Sequence, residues 1–369
     1  MSDKKEVFFW GAATSSHQVE GGNRNDWSEF ERAHNLELSG SACDHYNRYK
    51  EDFDIARDLG HNAHRFSIEW SRVEPEEGKF NEQEIQHYRD VISALHERNI
   101  EPFVTLWHWT IPLWLRDQGG VLSKNFPKLF MRYAERMARE FPDVKFWITL
   151  NEPNVYTGHG YLKGEWPPGE RSILKLVRAN KNLVRAHRHA FVVMKKMNPS
   201  VQIGIAQNLI YFSRPLGAFK KYFYNEWFLN QIKKHQDFVG VNYYFSDRIS
   251  NMHSDMKWGI DPEGLYFVLK QVGLYQKPVF ILENGIANSP DDKRAIFIQD
   301  HVAFMQKAKS EGVDVRGYFY WSLLDNFEWA NGFWPRFGLV EIDYKTMKRT
   351  VRPSALEYKK IIDQDEVER

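Results

Sequence analysis

Eight short apolar runs punctuate the chain at residues 8–14, 63–70, 102–109, 145–150, 202–208, 237–244, 278–282 and 315–322. Most are almost continuously apolar, the pattern of parallel strands covered on both faces. Between them, apolar residues recur every three or four positions. Residues 46–59 place Tyr46, Tyr49 and Phe53 on one stripe and run into Gly60, a helix stop. Similar spacing predicts helices over 83–98, 127–141, 173–197, 219–234, 263–273, 293–311 and 354–362. Asn81 is an N-cap candidate, with Glu84 at capping-box spacing. Strand then helix, repeated eight times, specifies a (β/α)8 TIM barrel of the α/β class. No linker, low-complexity tract or charge block divides the chain, so residues 1–369 read as a single domain. A minimal barrel takes ~250 residues, which leaves about a third of the chain for loops.

In such a barrel the chemistry belongs at the carboxyl ends of the strands. The ends predicted here carry Arg65, Glu69, His108, Trp109, Asn151, Glu152, Asn242, Tyr244, Glu283 and Trp321, with Gln18 after strand 1 and Glu328–Trp329 after strand 8. Polar side chains that end apolar strands are costly unless satisfied, so their convergence marks a site. Glu152 and Glu283 end strands 4 and 7, which face each other across a barrel. Two facing carboxyls permit acid/base work and attack at an acetal carbon, with retention or inversion set by their separation. Taken singly, His108 and Trp321 read as core residues, and Asn242 as a partner for a loop carbonyl. Trp109 divides evenly between stacking on a ligand and packing on strand 4.

Composition narrows the field. Lys+Arg total 50 and Asp+Glu 49, which argues against a basic nucleic-acid footprint. Aromatic residues make up 15% and include 13 Trp, flat platforms of the kind on which sugars stack. One cysteine, Cys43, excludes an internal disulfide and any cysteine-rich zinc module. No apolar run approaches the ~20 residues that span a bilayer. The first six residues are charged and lead only to a short apolar patch at 7–10, without the core of a secretory signal. A cytoplasmic protein with no membrane or nucleic-acid partner is expected, its oligomeric state open. His96-Glu97 lacks the second His of a zinc-protease helix, and Gly158-His159-Gly160 lacks a phosphate-loop context. His187 and His189 sit two apart on a predicted helix and point apart. Lys195-Lys196, Lys220-Lys221 and Lys233-Lys234 read as solvated helix faces.

Asn151-Glu152-Pro153, Ile281-Leu282-Glu283-Asn284-Gly285, and Trp321-Ser322-Leu323-Leu324-Asp325-Asn326-Phe327-Glu328-Trp329 resemble the motifs of the family 1 glycoside hydrolases. So do residues 9–21, the family's amino-terminal signature, and 65–72, its strand 2. The resemblance runs from about Phe8 to about Ile362. It implies a retaining exo-β-glycosidase acting on terminal β-D-glycosides or short oligosaccharides, β-glucosides first and β-galactosides or related sugars next. By resemblance Glu152 is the acid/base and Glu283 the nucleophile. By the same resemblance Arg65 holds Glu283 ionised, Tyr244 donates to it, and Asn151 reads the sugar 2-hydroxyl. Gln18, His108, Glu328 and Trp329 match positions that bind hydroxyls 3, 4 and 6, Trp321 the stacking floor, and Phe337 the aromatic that closes the pocket. No metal or organic cofactor is implied. Net transglycosylation and a sugar-binding barrel without catalysis are the alternatives. A phospho-β-glycosidase is disfavoured, because the anion Glu328 stands where a 6-phosphate needs donors. The chain is shorter than the family pattern between 212 and 237 and between 244 and 259. A more open leaving-group side is expected.

Overall fold

Eight parallel strands close into a barrel in the computed structural model, which describes residues 7–214 and 217–368. The charged segment 1–6 lies outside the described residues. The strands are β1 (Phe9–Ala13), β2 (Ala63–Ser67), β3 (Glu101–Trp107), β4 (Phe146–Asn151), β5 (Gln202–Asn208), β6 (Val239–Asn242), β7 (Val279–Asn284) and β8 (Val315–Trp321). Each pairs with its sequence neighbours, and β8 returns to β1. All eight match the apolar runs.

The barrel helices are α1 (His45–Asp58), α2 (Glu82–His96), α3 (Phe126–Glu140), α4 (Ile173–Met197), α5 (Trp227–Ile232), α6 (Pro262–Gly273), α7 (Arg294–Ser310) and α8 (Pro353–Glu368). α5 continues a turn that starts at Gly217 and widens over Tyr222–Glu226. Asn81 caps α2 by accepting from the backbone N–H of Gln83 and Glu84. The Glu84 carboxylate does not return the favour; it accepts from the Tyr46 hydroxyl at 3.1 Å. α1 stops where expected, with Gly60 at φ +80°.

Several elements escape the periodicity, among them short helices at Trp70–Val73, Leu113–Asp117 and Pro153–Thr157, a longer helix and a hairpin. Asp26–Ala33 forms a helix in the loop after β1, capped by Asn25, which accepts from Ser28 N–H. A two-stranded hairpin, β9 (Val340–Asp343) with β10 (Lys348–Val351), follows β8. Inside the barrel, Phe9, Phe103, Phe146, Phe280 and Phe319 interlock, and Phe103 stacks on Phe146 at 4.3 Å. This plug fills the lower lumen, so polar side chains can gather only at the mouth.

Candidate active site

Three strands slip register at the mouth. The shifts fall between Ile148 and Asn151 on β4, between Val241 and Asn242 on β6, and between Ile281 and Asn284 on β7. Such slips re-aim side chains at the end of a ladder. Glu152 adopts φ +42°, and its N–H donates to the Ala206 carbonyl at 2.7 Å. A non-glycine residue there costs about 1–3 kcal/mol, a strain the surrounding barrel must hold. Trp109 (φ +79°) and Trp329 (φ +51°) share the left-handed region. Gly285, just past Glu283, is fixed by close approach: a Cβ there would lie 1.8 Å from the Trp321 carbonyl oxygen.

The two carboxyls have different company. Glu283 Oε1 takes Arg65 Nη1 at 2.5 Å, and Glu283 Oε2 accepts from the Tyr244 hydroxyl at 2.6 Å. Arg65 also donates to Asn151 Oδ1 at 2.6 Å and to Thr105 Oγ1 at 3.1 Å. Glu152 has only amides: Oε1 accepts from Asn242 Nδ2 at 2.8 Å and Asn208 Nδ2 at 3.1 Å. Burial pushes the Glu152 carboxyl up to about 8, and the charge of Glu283 adds to the rise. Burial also raises Glu283, against the pull of the Arg65 guanidinium and the Tyr244 hydroxyl. Glu328 rises to about 8 through burial and then the charges of Glu283 and Glu152.

Around the pair stands a polar and aromatic wall. His108 Nε2 meets Asn151 Nδ2 at 3.1 Å, while its Nδ1 is buried without a partner. Burial and the Arg65 charge hold His108 well below its usual range, so the ring is neutral. With Nε2 accepting from the amide, Nδ1 carries the proton. The Gln18 side-chain amide donates from Nε2 to the Phe327 carbonyl at 2.8 Å and to Glu328 Oε2 at 3.3 Å. Trp321 lies 6.1 Å from His108, ring to ring and nearly parallel. Phe337 lies 6.3 Å from Tyr244 and 6.1 Å from Trp258. Trp109 donates from Nε1 to the Asn151 carbonyl at 2.9 Å and is 5% exposed, so it packs on the end of β4. The mouth therefore brings together Gln18, Arg65, His108, Trp109, Asn151, Glu152, Tyr244, Glu283, Trp321, Glu328, Trp329 and Phe337, twelve of the residues singled out in the sequence.

Other members of the site had no role, or a different one, in the sequence reading. Asn208 is oriented by the Tyr224 hydroxyl at 2.9 Å. Asn242 grips both Glu152 and Asn151, where the sequence suggested only a loop carbonyl. Trp27, on the unforeseen helix, and Trp166 pack against Trp329 at 4.7 and 6.2 Å. Phe327 packs beneath the cleft and is fully buried, whereas Trp334 is exposed. A separate cavity of about 520 Å³ borders Asp26, Phe30, Ile111, Tyr156 and Tyr161, and none of the twelve lines it.

Asp26 accepts from Ile111 N–H at 2.8 Å, and burial pushes its carboxyl up to about 8. Asp26, Glu152 and Glu328 thus keep protons in the folded chain that the unfolded chain, with ordinary values of 3.8 and 4.5, has released. Stability from these groups is lost as pH rises toward 8. The expected result is a Tm that falls between about pH 5 and about pH 8, and falls by about 2 °C less in Asp26→Asn. Calorimetry across pH checks this; equal slopes would refute it.

Buried paired carboxyls at the mouth of a (β/α)8 barrel define a class of glycoside-cleaving barrels. A family model described as glycosyl hydrolase family 1 matches residues 3–221 and 250–367, and the chain belongs to that family. It is 36% identical over 438 aligned positions to β-glucosidase A of Thermotoga maritima, covering 98% of both chains. It is also 30% identical to a 6-phospho-β-galactosidase of Clostridium acetobutylicum, over 98% of this chain and 97% of that one. Among solved structures, a β-glycosidase from Pyrococcus horikoshii superposes with a TM-score of 0.92 at 39% identity, covering 96% of this chain and 93% of that one. The family match is interrupted at 222–249, the stretch that carries Asn242 and Tyr244.

Proposed function

We propose that this chain is a retaining exo-β-glycosidase, a single (β/α)8 catalytic domain that cleaves terminal β-D-glycosides through a covalent glycosyl-enzyme. The unequal company of the two carboxyls carries the assignment. Glu152, protonated near neutral pH, gives its proton to the leaving oxygen as a Glu283 carboxylate oxygen bonds to the anomeric carbon. The Glu152 carboxylate then takes a proton from water, whose oxygen displaces Glu283. The Arg65 guanidinium and Tyr244 hydroxyl favour the charged form of Glu283. Asn151 faces the 2-hydroxyl, and His108 Nδ1–H, Gln18, Glu328 and Trp329 serve the remaining hydroxyls. Trp321 floors the ring and Phe337 closes over it. Trp109, its N–H spent on Asn151, is a positioning residue. Glu328 and Trp329 supply no cation to a 6-phosphate, which disfavours that substrate. The buried free thiol of Cys43 fits a reducing, cytoplasmic setting.

Purified protein incubated with nitrophenyl β-glucoside, β-galactoside, β-mannoside and 6-phospho-β-glucoside tests this reading. Release from the unphosphorylated glycosides, lost in Glu283→Ala, is expected. Release from the phosphorylated substrate alone would overturn the role given to Glu328. Asn242→Ala is expected to cost about ten- to a hundredfold in kcat/KM. It removes a donor to the charged form of Glu152, so the alkaline limb of the pH profile moves upward. A limb that moves down would contradict the hydrogen bond's role.

The leaving-group side is proposed to be open. The helix that starts at Gly217 follows β5 closely, and the family match is interrupted at 222–249. Saturation kinetics over aglycones of increasing size should give a nearly flat KM; steep dependence would count against an open cleft.

A further inference from the structure

Charge is even over the whole chain and uneven along it. From the start of α4 to Gln236 lie twelve of the 50 Lys and Arg residues but one of the 49 Asp and Glu, Glu226. That segment carries +11, and the rest, with 38 cations against 48 anions, carries −10. α4 buries Ala179, Leu183, Ala186, Ala190 and Met194. Its solvent stripe is Arg178, Lys181, Arg185, His189, Val192 and Lys196, all exposed. Like charges three or four apart repel. Lys175, Lys195 and Lys221 find carboxylates. The side chains of Arg178, Lys181, Arg185 and Lys196 make no ion pair or hydrogen bond among the described residues. On α1, α3 and α8, by contrast, cations pair within the helix: Arg57 with Asp54, Arg136 with Glu140, Arg139 with Glu135, Lys360 with Glu357.

Apolar side chains share this rim. The first turn of α4 exposes Ile173, Leu174 (84%) and Val177, and the turn before α5 exposes Phe219 (67%), Tyr222 and Phe223 (56%). Both turns flank the chain just after Glu152. Asn180 donates to Thr157 Oγ1 at 3.0 Å, and Asn154 donates to the Tyr224 carbonyl at 3.3 Å. At the mouth end of α4, Arg178 and Lys181 therefore lie one turn from the exposed Leu174 and Val177, and Arg185 and Lys196 continue the stripe toward the amino ends of the strands. Solvation explains the cations but not Leu174 or Phe219. Binding to a polyanion would use the cations and leave Ile173, Leu174 and Val177 idle.

We propose that this rim is a docking surface for an anionic lipid bilayer. The cations meet the headgroups, and the apolar side chains enter the interface, as amphipathic basic surfaces do. No helix among the described residues is long and apolar enough to cross a membrane, so the contact is peripheral. Docked this way, the barrel holds its mouth beside the lipid.

The test is co-sedimentation of the full chain with vesicles of phosphatidylcholine alone and with vesicles in which a third of the lipid is phosphatidylglycerol. The expected result is pelleting with the anionic vesicles only, reversed by salt. R178E/K181E/R185E should lower the partition about tenfold or more. L174S/F219S/F223S should weaken it on vesicles while leaving binding to heparin unchanged. Both variants should keep wild-type hydrolysis of a soluble nitrophenyl glycoside and wild-type circular dichroism. Absence of pelleting with anionic vesicles at low salt would overturn the proposal. So would vesicle binding indifferent to the serine substitutions with equal binding to a single-stranded oligonucleotide, which would make the stripe a polyanion site.

Discussion

Replacing Glu283 by alanine is expected to lower glycoside hydrolysis by about 10⁴-fold or more, the scale of losing an enzymic nucleophile. The substitution removes the acetal carbon's attacking group and leaves the Arg65 guanidinium and the Tyr244 hydroxyl facing an empty space. A small anion should fill it. With azide added and an activated aryl β-glucoside as substrate, turnover should return, and NMR should show the α-glycosyl azide. That product records one inversion in place of two. A β-configured azide, or a variant that hydrolyses as wild type does, would remove Glu283 from the role proposed.

Glu152→Ala is expected to cost 10²–10⁴-fold, the usual contribution of general acid–base catalysis. The loss should depend on the leaving group. An alkyl glycoside needs the proton and should suffer most; a dinitrophenyl glycoside leaves unaided and should suffer least. Wild-type kcat/KM should decline as pH climbs through about 8, because the acid must be protonated and burial sets its carboxyl near that value. In Glu152→Ala that alkaline limb should vanish for the activated substrate. A limb that persists unchanged would assign the titration elsewhere, Glu328 being the first suspect.

The strands were legible because each is buried on both faces and so reads as an uninterrupted apolar run. The residues of the mouth were legible because they interrupt those runs. The Asp26–Ala33 helix was not: it is short, and its Asp, Ser, Glu and Arg resemble a loop until Trp27 is seen packing on Trp329. The hairpin β9–β10 was hidden for a related reason, since β10 is largely exposed and carries no apolar face. Asn208 and Tyr224 were illegible on different grounds. Their contribution is one relay of hydrogen bonds between strand and loop, which leaves no periodic mark. Of the pair Lys195-Lys196, read as a solvated face, Lys196 is exposed but Lys195 is half-buried against Asp237. The missing counter-charges along α4 emerge only when the ion pairs of other helices are set beside it.

The hydrogen-bonded chain from Glu283 through Arg65, Asn151 and Asn242 to Glu152 draws on β7, β2, β4 and β6. Arg65 and Glu283 are 218 positions apart in sequence. No contiguous fragment short of β2 to β7 can assemble it, and β1 must pair with β8 before the ring closes. Contacts of such long sequence separation form late, after the loop entropy between them has been overcome. Recovered activity during refolding is therefore a clock for ring closure. It should lag behind helix formation, and an intermediate with the first half of the barrel in place would hold the acid Glu152 with nothing across the lumen to work with.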